Sequence, residues 1–134
     1  MRKNCAFFSV LLLVCNQAKA DQFDHLTPRF SGTSAGLNAV ACSTNGYVAV
    51  GNNGLILTTK DAISWTAQTS TTSNDLRGAT WANGLFIVVG SGGTILSSTD
   101  GATWNPETSG TTNRLNGVSW YNGTFVAAGD AGTI

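Results

Sequence analysis

Apolar residues in this chain come in short bursts that recur at a fixed spacing. Within the middle third, LRGATW (76–81) alternates, LFIVVG (85–90) is continuously apolar, GTILSS (93–98) is β-branched and hydroxyl-rich, and TWNPET (103–108) closes the set. Alternation predicts a strand with one buried face, and a short apolar run bounded by turn residues predicts a strand buried on both. Asn83-Gly84, the glycines at 90, 92 and 93, and Asp100-Gly101 separate these segments, and each suits a tight hairpin. No stretch carries a helical period.

The same order of segments repeats every 39 residues without an insertion. Leu37, Leu76 and Leu115 keep that spacing, as do Tyr47, Phe86 and Phe125, then Gly51, Gly90 and Gly129, then Ile56, Ile95 and Ile134. Asp61 and Asp100, Trp65 and Trp104, and the linker residues Ser31, Ser70 and Ser109 follow the same register. Four antiparallel strands in about 40 residues is the signature of a propeller blade. The expected fold is therefore all-β, an incomplete β-propeller of four-stranded antiparallel blades, with repeats at 31–69, 70–108 and a partial one at 109–134.

Within a unit, YVAV (47–50), FIVV (86–89) and FVAA (125–128) are apolar on both faces, as a central strand requires when sheets cover it on two sides. Pro106 falls in the fourth strand, where a missing amide donor is tolerated only at an edge. Running the register backwards places Leu26 and Pro28 at fourth-strand positions, so 21–30 is expected to be an outer strand that completes the last blade of a closed ring, the alternative being a loose leader. Ile134 is expected inside a third strand, which makes the sequence look like a fragment. A propeller closes with about four to eight blades, and an incomplete one bares sheet edges and an apolar face, inviting self-association.

Residues 1–20 have a different character. Arg2 and Lys3 precede an apolar run from Ala6 to Cys15, and Ala18-Lys19-Ala20 is a small-x-small cleavage pattern, so this segment is expected to be a secretory signal peptide cut after Ala20. The run is shorter than the roughly 20 residues that span a bilayer, which argues against a transmembrane anchor. Beyond it remain four basic and seven acidic residues, a net charge of −3, which gives a nucleic-acid backbone no footing. Cys5 and Cys15 leave with the leader, so Cys42 is expected to be a lone, buried thiol acting as a small apolar side chain.

The corner between the third and fourth strands carries the most specific pattern. An aspartate there accepts hydrogen bonds from amides of its own turn, a glycine takes the positive-φ position, and preceding hydroxyls bond locally. STDGATW supplies Ser98, Asp100, Gly101, Thr103 and Trp104; TKDAISW supplies Thr59, Asp61 and Trp65, with Ala62 where the turn glycine is expected. These residues resemble the Asp-box of BNR-type repeats, although the 98–104 copy is one residue shorter and the 59–65 copy lacks the glycine. The wider pattern is similar to exported bacterial BNR-like propellers and to propellers of the photosystem II assembly-factor type. The resemblance covers 31–134 and implies a propeller whose Asp-boxes sit on the rim in a structural role.

Some BNR proteins are sialidases, so a catalytic set has to be sought. Arg29 in TPRFSG lacks the expected Phe-Arg-Ile-Pro-like context, Arg77 and Arg114 occupy non-equivalent repeat positions, and Glu107 is the sole glutamate, on a presumed outer strand. A two-carboxylate glycosidase needs an inward-facing pair about 5–9 Å apart, and Asp24, Asp75 and Asp130 are paired by nothing visible. His25 stands outside any metal-ligand spacing, Asp130 is a single carboxylate for calcium, and Asn122-Gly123-Thr124 is a glycosylation sequon by pattern only. GSGGT (90–94) leads into a strand rather than a helix, so it reads as a hairpin and not a phosphate cradle. The expectation is a secreted or periplasmic, non-enzymatic scaffold without cofactor or metal. It binds protein or glycan through the Thr-, Ser- and Asn-rich loops 71–75 and 110–114. The rival readings are a glycosidase with catalytic residues beyond Ile134 and an assembly factor for a membrane complex.

Overall fold

The computed structural model describes residues 7–8, 11–12 and 28–134. Two short strands, β1 (Phe7–Phe8) and β2 (Leu11–Leu12), pair antiparallel. The rest of the expected leader, His25 and most of the expected strand at 21–30 lie outside the described residues; Pro28, Arg29 and Phe30 are exposed and in no strand.

Ten further strands form three antiparallel sheets in chain order. The first contains β3 (Leu37–Ser43), β4 (Gly46–Gly51), β5 (Ile56–Thr59) and β6 (Thr66–Gln68). The second contains β7 (Leu76–Ala82), β8 (Leu85–Gly90), β9 (Ile95–Ser98) and β10 (Asn105–Glu107), and the third contains β11 (Leu115–Tyr121) and β12 (Thr124–Gly129). Every hydrogen-bonded neighbour is also the chain neighbour, because each connection is a short turn. Asn83 (φ 51°) and Gly84 (φ 75°) both take positive φ, the two-residue hairpin geometry that Asn-Gly favours. Pro106 pairs with Leu96 on β10, at the outer edge of its sheet. Ile134, expected in a third strand, belongs to no strand.

The sheets stack through their first strands, β7 lying against β3 on one side and β11 on the other. The period-2 alternation of β8 explains why its sequence is apolar throughout. Phe86 and Val88 join Val48, Val50, Ile56, Leu96 and Trp104 in a core between the first two sheets. Ile87 and Val89 face the opposite way and pack with Leu115, Val118 and Phe125. Burying one such side chain contributes about 1.5–3 kcal/mol, so a strand used on both faces concentrates stability in few residues. Trp81 against Phe86 and Trp120 against Phe125 have the same 4.3 Å ring separation and nearly the same tilt, so one packing solution is used twice. In the third sheet Val126 is 48 % exposed, while its repeat partners Ile87 and Val48 are 8 % and 2 % exposed. The described sheets form no closed ring, and their arrangement is compatible with part of a β-propeller.

Cys42 requires a correction. It is disulfide-bonded and half-buried, not a lone buried thiol. The expectation failed because a disulfide depends on which sulfur the fold brings within bonding distance, which residue spacing does not show.

Gly90 and Gly93 are fixed by close approach. A Cβ on Gly90 would overlap the Asp75 carbonyl, and one on Gly93 would overlap the Thr111 carbonyl, where the linker to the next sheet crosses the turn. Gly93 also has φ +69°, which disfavours any L side chain. Gly93→Ala is expected to cost about 3 kcal/mol, combining overpacking with left-handed strain. Gly84→Ala, at positive φ but in open space, should cost only about 1 kcal/mol. Urea denaturation of the two variants checks the ordering.

Candidate functional site

The two ends of the sheet stack differ in chemistry. One end carries the hairpins and the two aspartate corners; the other carries the linkers between sheets and a 3-10 turn in each unit, at Asn52–Gly54, Ser91–Gly93 and Asp130–Gly132.

At the first end, the Asp100 carboxylate Oδ1 accepts from the Ala102 and Thr103 amides, both at 2.8 Å, and from the Ser98 hydroxyl at 3.0 Å. The Ser98 hydroxyl oxygen in turn accepts from the Gly101 amide at 2.8 Å. Trp104, 4 % exposed, donates its indole N–H to the Gly101 carbonyl at 2.9 Å and so folds back over the corner. Thr103 contributes its amide rather than its hydroxyl. Asp61 repeats the arrangement with the Ile63 and Ser64 amides and the Thr59 hydroxyl, and the Thr59 oxygen accepts from Ala62. Ala62 holds φ 59° there, so the corner keeps its hydrogen bonds without the glycine. Trp65 is half-buried.

These bonds set the chemistry of both carboxyls. The Ser64 and Ile63 amides, with the Thr59 hydroxyl, hold Asp61 down to about 2 from 3.8. The Thr103 and Ala102 amides, helped by the Ser98 hydroxyl, lower Asp100 in the same direction. A carboxylate this acidic is a poor proton carrier near neutral pH, and its Oδ1 is already committed to the turn. The corners are built as fasteners.

The opposite end brings together Arg77, Arg114, Asp75 and Asp130, which the sequence left unconnected, with Asn38 and Asn116, which it did not single out. Each first strand has a register shift, between Leu37 and Ala39, Leu76 and Gly78, and Leu115 and Gly117. The extra residues are Asn38, Arg77 and Asn116, and a bulge re-aims the side chain it carries. All three reach the residue 14 positions later, at the start of the 3-10 turn. Asn38 donates to Asn52 at 2.9 Å, Arg77 to Ser91 at 3.5 Å, and Asn116 to Asp130 at 2.7 Å. Asp75 pairs with Arg77 at 3.4 Å and Asp130 with Arg114 at 3.0 Å, all four side chains partly exposed. The Asn53 amide donates to Asp75 at 3.0 Å, and Asn38 donates to the Leu76 carbonyl at 2.8 Å, tying the first unit to the second. The signal was present in the sequence as polar residues 39 apart directly after the periodic leucines, but a bulge is invisible until strands pair.

The linkers are ordered by their own hydroxyls, since Ser70 and Ser109 each donate to the carbonyl two residues on at 3.0 Å. Among the described residues, no cluster of three or more His, Cys, Asp or Glu side chains is placed to hold a metal, and no helix is long and apolar enough to cross a membrane. No protein-family profile and no curated protein matches this chain.

Because both aspartates have folded-state pKa values below their unfolded ones, they stabilise the fold at pH above about 4, and that contribution is lost as pH falls through the folded-state values, about 2 for Asp61. The urea midpoint is expected to drop across this window, and Asp61→Asn, which cannot titrate, should make the decline shallower. At neutral pH, Asp100→Ala should cost about 1 kcal/mol, discounted for exposure, since it strips acceptors from two turn amides that water then solvates.

Proposed function

We propose that this chain is part of an exported BNR-type β-propeller that serves as a binding scaffold for protein or glycan, with its contact surface at the linker end. The observation that supports this reading is the set of three bulges that place Asn38 and Asn116, both exposed, and Arg77, half-buried, at the same point of successive units. Bulges recur where a strand must present a side chain rather than bury it. Here the presented groups are amides and a guanidinium, oriented in advance by bonds to Asn52, Ser91 and Asp130. The neighbouring linkers 71–75 and 110–114 add Thr, Ser and Asn side chains, whose short lengths make hydrogen bonds at little entropic cost. The aspartate corners, at the other end, brace the hairpins of the first two units through their own hydrogen bonds.

A photoreactive side chain at Asn116 tests the assignment against the same group at Thr99, in the exposed corner at the other end. Crosslinks to a protein partner in the cell envelope are expected from position 116 and not from 99. Equal labelling from both positions, or turnover of glycoside substrates by the purified protein, would refute the scaffold reading.

A further inference from the structure

A groove of about 490 Å³ opens between the first two sheets at the hairpin end, away from the linker surface. Its volume lies within the range of small-molecule sites, about 300–1,000 Å³. Tyr47, half-buried, gives the apolar floor its accessible face, with Val48 and Phe86 buried around it at 2 % and 3 % exposed. One wall carries Thr58, Thr66 and Gln68 from β5 and β6. The other wall is the second aspartate corner, where Gly101 packs so closely that a Cβ would lie 3.1 Å from Val48. The groove therefore exists because a corner of one sheet rests on the face of the preceding sheet.

We propose that this groove binds a neutral saccharide unit. A pyranose ring has an apolar C–H face and a rim of hydroxyls that both donate and accept. The floor matches the first and the Thr58, Thr66 and Gln68 wall the second. The Gln68 amide N–H₂ donates to the Thr58 hydroxyl at 2.9 Å, which orients the amide and leaves its carbonyl oxygen and a second N–H to face a ligand. The charged groups at the rim are Lys60, Asp61 and Asp100, two carboxylates against one ammonium, so an anionic sugar is disfavoured. A flat protein surface does not enter a cleft of this size, whereas one or two sugar rings do. This proposal does not rest on the linker-end surface: it gives the glycan arm of the scaffold reading a different place on the molecule, at the hairpin end.

Amide chemical shifts of the isotope-labelled chain, titrated with maltose, lactose and N,N′-diacetylchitobiose, test it, with sialyllactose as the anionic comparison. At least one neutral disaccharide is expected to shift Thr58, Thr66, Gln68 and Ala102 with a dissociation constant in the millimolar range or tighter. Sialyllactose should bind more weakly than lactose. Gln68→Ala should weaken binding about fivefold, the equivalent of one hydrogen bond of about 1 kcal/mol, with the melting temperature unchanged. Arg77→Ala should leave these shifts as they are, which separates this site from the linker surface. Absence of shifts up to about 50 mM of all three sugars, well above the expected dissociation constant, overturns the proposal. Tighter binding of sialyllactose, or shifts centred on Arg77 and Asn116, overturns it equally.

Discussion

A strand that is apolar on both faces needs a sheet on each side, and this constraint organises the molecule. β8 meets it by sending Phe86 and Val88 to the first sheet and Ile87 and Val89 to the third. Neither neighbour can be removed without exposing side chains that are at most 8 % accessible in place. Each two-layer contact is small, so stability is shared between neighbours along the stack, as in other repeat architectures. In the third sheet Val126 takes the place of Ile87 and is 48 % exposed, with no further sheet packed on it among the described residues.

Stacking at close range restricts the connections as well. Turns at the linker end pass beneath the carbonyls of Thr72 and Thr111, and only glycine fits at 54 and 93. At the hairpin end the aspartate corners supply acceptors for amides that the strands cannot satisfy, and the Trp104 indole covers the second corner. Both ends are thus rigid for local reasons, one steric and one hydrogen-bonded. That rigidity allows Asn38, Arg77 and Asn116 to be held at fixed places, and it also creates the groove over Val48 and Phe86.

Disulfide bonding of Cys42 shows how far a local reading reaches. Tyr47 pairs with Cys42 across the hairpin, in the place where Phe86 pairs with Trp81 and Phe125 with Trp120. The first unit therefore substitutes a small sulfur for a large indole in an otherwise regular ladder. Ala62 is a comparable substitution. It keeps a left-handed conformation at φ 59° because three acceptor bonds to Asp61 and the Thr59 oxygen around it over-determine the backbone.

The sequence by itself determined the strands, their order, the hairpin turns and the edge position of Pro106, because alternation and turn chemistry are encoded within a few adjacent residues. It also located the aspartate corners, whose partners lie two or three residues away. Tertiary structure decided what depends on groups distant in the chain: that Gly90 is crowded by the Asp75 carbonyl, that Arg77 is a bulge reaching Ser91, and that Gly101 seats against Val48. Those contacts join residues 14 or more positions apart. Their geometry follows from how sheets pack, which no local pattern of side chains specifies.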